Sequence, residues 1–276
     1  MPTVQSKDGT AIAYDRTGSG PALILVDVAL CFRRFGPSHD LAPMLASRFT
    51  IYSYDRRGRG ESGDTQPYAV DREVEDIEAL IGAAGGHAML YGVSSGAALA
   101  LEAASRLRGV DKLMLYEAPF IVDDSRGPLT SDYWGRISDA VKANHRGKAL
   151  ALFMRAVGVP GPAIFVMRLT PIWKKLKPVA HTLPYDGALV SENQRGRPLT
   201  ARRWQSATMP TLVADGGKSP AWMRNATKAL ADALPNATYR TLPGQTHMVK
   251  ADAHVPVIME FLLGATAPVA PRASPA

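Results

Sequence analysis

The chain has 276 residues, 46% hydrophobic and 21% charged, a globular composition with enough apolar material for a sizeable core. That length suits a single α/β domain carrying an insertion, and no stretch approaches the roughly 18 consecutive apolar residues of a membrane span. The net charge of +7 comes from basic residues spread along the chain, with runs at Arg56–Arg59, Lys174–Lys177 and Arg195–Arg203. No aromatic-interleaved basic face accompanies them, so a solvated basic surface is expected and no nucleic-acid partner. Met1 to Lys7 shows no apolar run or small-residue cleavage site, and the single Cys31 cannot close an internal disulfide. A cytoplasmic protein, monomer or homodimer, with no membrane partner is the expectation.

Val4 to Lys7 and Ala11 to Arg16 flank Asp8-Gly9, a dipeptide suited to a tight turn, and predict an N-terminal hairpin. Ala22 to Val26 is a continuous apolar run, the mark of a strand buried on both faces. Ile51 to Tyr54, Met89 to Tyr91, Leu113 to Tyr116 and Thr211 to Ala214 repeat it. Val70, Val74, Ile77 and Ile81 recur at helical spacing, which places Arg72, Glu73, Glu75, Asp76 and Glu78 on the solvent face of a surface helix. Helices are expected over Ser95 to Leu107 and Ala221 to Leu234, then a strand over Thr238 to Leu242 and a helix over His254 to Leu263. The alternation predicts an α/β fold, a mostly parallel eight-stranded sheet with helices on both faces.

Phe120 to Arg203 breaks that alternation, being helical and proline-rich with no convincing strand. The expected organisation is a core of residues 1–119 and 204–264, an inserted helical lid of residues 120–203, and a disordered alanine-proline-rich tail of residues 265–276.

Gly92-Val93-Ser94-Ser95-Gly96 stands between a predicted strand and a predicted helix, the context that gives a Gly-x-Ser-x-Gly run its meaning. Glycines without a Cβ let strand and helix close around a strained turn, with Ser94 at its centre as candidate nucleophile. Ser95 follows, where its backbone N–H would face an oxyanion. Serine needs a base, and of the six histidines His247 comes directly after the last predicted strand. His254 is assigned to a helix start at the surface, His145 and His181 to the lid, and His39 and His87 to helix ends or strand starts. Two acids compete for the third place. Glu117 ends the strand that follows the nucleophile and is preferred, while Asp215, at its own strand end, is the alternative. No Cys/His cluster suggests a metal, and no Gly-x-Gly-x-x-Gly follows the first buried strand, so neither metal nor cofactor is expected.

Together these residues resemble the α/β-hydrolase superfamily from about Val4 to Leu263. Asp55-Arg56-Arg57-Gly58-Arg59-Gly60-Glu61-Ser62 is similar to the turn after the fourth strand of that fold. Many members carry the acid in a Gly-x-x-Asp pattern, and here Gly216-Gly217-Lys218-Ser219 places a serine at that point. Gly92 to Gly96, Tyr116 to Pro119 and Leu242 to His247 are similar to zearalenone lactonases, whose acid is a Glu after the sixth strand, which implies Glu117. Asp215 to Trp222 resembles uncharacterised actinobacterial hydrolases. The resemblance implies an α/β-hydrolase fold and a second oxyanion N–H at Val28, where relatives carry Gly. A β-branched side chain there would narrow the acyl pocket and resist φ > 0. A serine nucleophile separates the chain from the dehalogenases and epoxide hydrolases of the fold, which use Asp. The expected activity is cleavage of a carboxylic ester or lactone through an acyl-enzyme on Ser94, His247 and Glu117. The alternatives are acyl transfer, amide hydrolysis or carbon–carbon bond hydrolysis on the same triad, or a non-hydrolytic ligand-binding homologue of the fold. The expected substrate is small, uncharged and largely apolar. Phe120, Tyr133, Trp134, Phe153, Phe165, Ile172, Trp173 and Tyr185 are divided between lid core and pocket, and no charged pocket residue is anticipated.

Overall fold

The computed structural model describes residues 2–264, so the expected tail of residues 265–276 lies outside the described residues. The strands are β1 (Thr3–Gln5), β2 (Ala11–Gly18), β3 (Ala22–Val26), β4 (Thr50–Tyr54), β5 (Ala88–Val93), β6 (Val110–Tyr116), β7 (Thr211–Gly216) and β8 (Ala237–Leu242). They form one eight-stranded sheet in the order β1-β2-β4-β3-β5-β6-β7-β8. β1 and β2 pair antiparallel, as do β2 and β4, and every later neighbour is parallel. This is the sheet the sequence predicts.

Because side chains alternate across a strand, one apolar run feeds two cores. Leu23 and Leu25 join a cluster closed by α1 (Pro37–Leu45) and α10 (Ala251–Leu263). Ile24 and Val26 join the opposite cluster, covered by α2 (Val70–Ala83), α3 (Ser95–Ala104) and α9 (Ala221–Ala233). α1 is not among the predicted helices. It carries Pro43 and buries Ser38, Leu41 and Leu45, too brief a pattern for periodicity to register.

The turn after β4 overturns two expectations. Arg56, Arg57 and Arg59 are no solvated run, since none is more than 1% exposed. Arg56 donates to both carboxylate oxygens of Glu73 at 2.7 and 2.8 Å and to Asp186 at 2.8 Å. Arg57 donates to both oxygens of Asp76, at 2.9 and 2.7 Å, and to Asp8 at 2.9 Å. Glu73 and Asp76, expected at the solvent face of α2, are therefore buried beside its apolar stripe. A guanidinium leaves water when fixed carboxylates replace its hydration, and α2 supplies two of them one turn apart.

Between β6 and β7 the chain is helical, with α4 (Tyr133–Lys142), α5 (Arg146–Ala156), α6 (Gly161–Met167), α7 (Pro171–Val179) and α8 (Leu183–Val190). These helices have their own core, including Tyr133, Ile137, Leu150, Trp173 and Leu176, into which Leu30 reaches from the loop after β3. Phe165 and Ile172 belong neither to this core nor to a pocket, being 66% and 42% exposed. Asp186 on α8 ties the insertion to the sheet by accepting from Arg56 and from Arg59, the latter at 2.9 and 2.8 Å. No helix among the described residues is long and apolar enough to cross a membrane.

Candidate active site

The strand order reverses around β3, with β4 on one side and β5 on the other, which opens a crevice at the carboxyl ends of the strands. The register there is level. Val93 pairs with Tyr116, and Tyr116 with Ala214, so Ser94, Glu117 and Asp215 stand side by side. The Ser94 N–H donates to the Tyr116 carbonyl at 2.9 Å and the Glu117 N–H to the Ala214 carbonyl at 3.1 Å.

Ser94 has φ 55 and ψ −124, a strained conformation for a residue with a side chain. Both flanking glycines are required by space. A Cβ on Gly92 would lie 2.5 Å from the Gly96 carbonyl oxygen, and one on Gly96 would collide with the Val26 carbonyl. Ser95 is the first residue of α3, so its N–H has no acceptor inside the helix and is available to an anion.

His247 lies in the loop after β8. The Tyr116 hydroxyl donates to the Thr246 carbonyl at 2.7 Å, and Gly216 lets the loop come close, since a Cβ there would stand 2.5 Å from the Gln245 oxygen. The imidazole Nδ1 is 2.7 Å from Glu117 Oε2, and Nε2 is 3.2 Å from Ser94 Oγ. A carboxylate only accepts, so Nδ1 carries the proton and the Nε2 lone pair faces the serine hydroxyl. Glu117 is fully buried at φ 48, and its Oε1 accepts from the Gly216 N–H at 2.8 Å. The structure thus brings Ser94, His247 and Glu117 together. Asp215 is engaged elsewhere, with Oδ2 accepting from the Tyr239 hydroxyl at 2.7 Å and burial raising its pKa.

Two assignments need correction. His254 is no surface residue: it is fully buried, Nδ1 lies 2.8 Å from the Tyr91 hydroxyl, and burial pushes its pKa down to about 4. α10 begins at Ala251, which turns His254 inward with Ile258 and Leu262, four and eight positions on. That spacing is the signal available in the sequence. Val28 does not narrow the pocket. Its side chain packs on the cluster closed by α1 and α10, and Ala29 lines the cavity beside Ser94 and Ser95. The positive φ in this loop falls on Leu30, at 65, so no strain is placed on Val28. The Val28 carbonyl accepts from Arg59 at 2.7 Å, which anchors the loop to the buried arginines.

Ser94 and His247 open into a cavity of about 510 Å³, within the usual range for small-molecule sites. Its walls include Leu129, Tyr133, Trp134, Phe153 and Val157 from the insertion and Trp222 and Met223 from α9. Contrary to expectation, charged residues also line it, namely Asp186 and Arg126. Asp186 is held below the usual carboxylate range, because Arg59 and Arg56 outweigh the opposing effect of its burial. Arg126 lies in an irregular segment, where no periodicity marks a residue as facing inward. Among the described residues, no group of three or more His, Cys, Asp or Glu is arranged to hold a metal ion.

A mostly parallel eight-stranded sheet with a serine turn at its carboxyl edge defines the class of α/β hydrolases. The chain belongs to the alpha/beta hydrolase family, whose model matches residues 17–254. An alpha/beta hydrolase from Sphaerobacter thermophilus DSM 20745 is 48% identical, with a TM-score of 0.86 over 94% of this chain and 99% of that one. A thermophilic esterase from Thermogutta terrifontis (18% identity, TM-score 0.67, 95% of this chain and 97% of that chain) has the same fold. So does the enol-lactonase from Burkholderia xenovorans LB400 (18% identity, TM-score 0.68, 95% of this chain and 100% of that chain). The uncharacterized hydrolase YraK of Bacillus subtilis strain 168 is 28% identical over 151 residues, 53% of this chain and 55% of YraK, so the match spans about half of that relative.

Proposed function

We propose that this chain is a serine hydrolase of carboxylic esters or lactones, with Ser94 as nucleophile, His247 as general base and Glu117 as the acid that orients it. The observation that carries this reading is the continuous line from Glu117 through His247 to Ser94, at 2.7 and 3.2 Å. His247 Nε2 takes the Ser94 proton as Oγ attacks the substrate carbonyl. The Ser95 N–H and a backbone N–H of the Val28–Ala29 segment stabilise the oxyanion, and protonated His247 then donates to the leaving oxygen. Water, deprotonated by the same imidazole, releases the acid from the acyl-enzyme. Residues 120–203 act as a lid over a small substrate with a largely apolar body, and the esterase and enol-lactonase that share the fold are consistent with this class.

A fluorophosphonate probe should label Ser94 in the native protein and leave Ser94→Ala unlabelled. The same variant should lose ester and lactone turnover while keeping its melting temperature. Labelling at another residue, or more than a few per cent residual turnover, would move the nucleophile.

A further inference from the structure

The cavity contains a cation that the hydrolytic steps do not use. Arg126 precedes α4, is half-buried, and lines the same cavity as Ser94 and His247. Its Nη2 donates to the Ala156 carbonyl at 2.7 Å, and its guanidinium carbon lies 4.4 Å from the centre of the Trp222 ring. Neither partner carries a negative charge. Asp186, the carboxylate among the described lining residues, is committed to Arg56 and Arg59. Nearby Asp123 accepts instead from Ser125 and Asn225. The fully buried arginines of this molecule meet carboxylates, whereas Arg126 meets a carbonyl and an aromatic face.

We infer that Arg126 anchors an anionic group of the substrate, so that the ester or lactone admitted here carries a carboxylate on an otherwise apolar body. The inference rests on the hydrolytic reading of Ser94 and narrows its substrate class. A guanidinium offers five N–H donors in a planar fork, and one of those of Arg126 is placed on a protein acceptor. Stacking on Trp222 and the bond to Ala156 hold the fork before ligand arrives, so little side-chain freedom remains to be lost on binding. Apolar walls, Leu129, Phe153 and Met223 among them, strengthen a charge-assisted pair by excluding water. Burial also lowers the Arg126 pKa, a penalty on its charge that a bound carboxylate relieves.

The test compares the 4-nitrophenyl monoester of adipic acid with 4-nitrophenyl hexanoate, which match in chain length and differ in the terminal carboxylate. The native protein should favour the anionic ester in kcat/KM at least about tenfold, and Arg126→Gln should lower the anionic-to-neutral ratio by about 10- to 100-fold. Arg126→Lys should recover part of that ratio. A native protein without the preference, or a ratio unchanged in Arg126→Gln, overturns the inference. Binding measured without turnover separates it from the hydrolytic reading. In Ser94→Ala, 4-phenylbutyrate should bind at least about tenfold more tightly than 4-phenylbutanamide, and the difference should vanish when Arg126→Gln is added. If fluorophosphonate labels Ser94 and neither assay shows a charge preference, the anion site falls and hydrolysis stands. If 4-phenylbutyrate binds through Arg126 and Ser94 is not labelled, the anion site stands and hydrolysis falls.

Discussion

Arg56–Arg59 after β4 and Lys174–Lys177 on α7 are similar basic runs in the sequence, and the fold sends them to opposite environments. The arginines are sealed in the interior against Glu73, Asp76 and Asp186. On α7, Trp173, Leu176 and Val179 turn inward while Lys174, Lys175 and Lys177 stay exposed, so there the expected solvated face is what the structure has. The difference lies in the partners. Each arginine fork meets a carboxylate carried by another element, and for Arg59 that carboxylate is 127 residues away on the insertion. Among the described residues no carboxylate is paired with the α7 lysines in the same way, and a flexible ammonium keeps its hydration more cheaply at the surface. A charge run therefore says little about exposure until its counter-charges are located.

Removing buried charges and exposed ones should give a graded series of effects. The largest concerns the two buried strand-end carboxylates. Glu117→Gln should lower kcat by about 10⁴, the magnitude known for losing the orienting acid of a serine triad, while Asp215→Asn costs far less. Steady-state kinetics on one ester settle the ranking, and the reverse order would transfer the role to Asp215. Next comes Asp186→Ala, which strips the shared carboxylate from Arg56 and Arg59. Urea denaturation should show a loss of about 3–5 kcal/mol, as for breaking a buried ion pair, and a loss below 1 would mean that water replaces the carboxylate.

A buried histidine supplies the third test. The His254 pKa is about 4 in the fold against an ordinary 6.5, so the neutral ring is the folded form. Its contribution is complete above pH 6.5 and is lost as pH falls through 4, because the unfolded chain takes a proton that the fold refuses, for at most about 3 kcal/mol. Asp27 and Asp76, both raised to about 6 by burial, slope the opposite way over much of that range. The measurement is therefore the difference in stability between native protein and His254→Gln from pH 4 to 7, and parallel curves would discard the assignment. The smallest effect belongs to the exposed lysines. Replacing Lys174, Lys175 and Lys177 by Gln one at a time should shift stability by no more than about 0.5 kcal/mol each. A larger loss at any of them would show that the contrast with the arginine turn is overdrawn.

The sequence by itself determined the sheet, since apolar runs such as Ala22–Val26 have nowhere to go but between two layers of helices. It also determined the Ser94 turn, because a Cβ at Gly92 would meet the Gly96 carbonyl only four residues on, and it marked His247 by its place after the last strand. The exclusion of a Cβ at Gly96, by contrast, comes from the distant Val26 carbonyl. What lay outside its reach were the polar groups whose surroundings come from distant elements. The sequence preferred Glu117 to Asp215, but the contact of Glu117 with His247 is made only by the loop after β8 folding back over Gly216. Val28 turns away from the cavity, His254 turns into the core, and Arg126 reaches the cavity from an irregular segment. Hydrophobic periodicity reports which apolar faces leave water. A polar side chain leaves water only when a partner is waiting in space, and the tertiary structure alone decides where that partner stands.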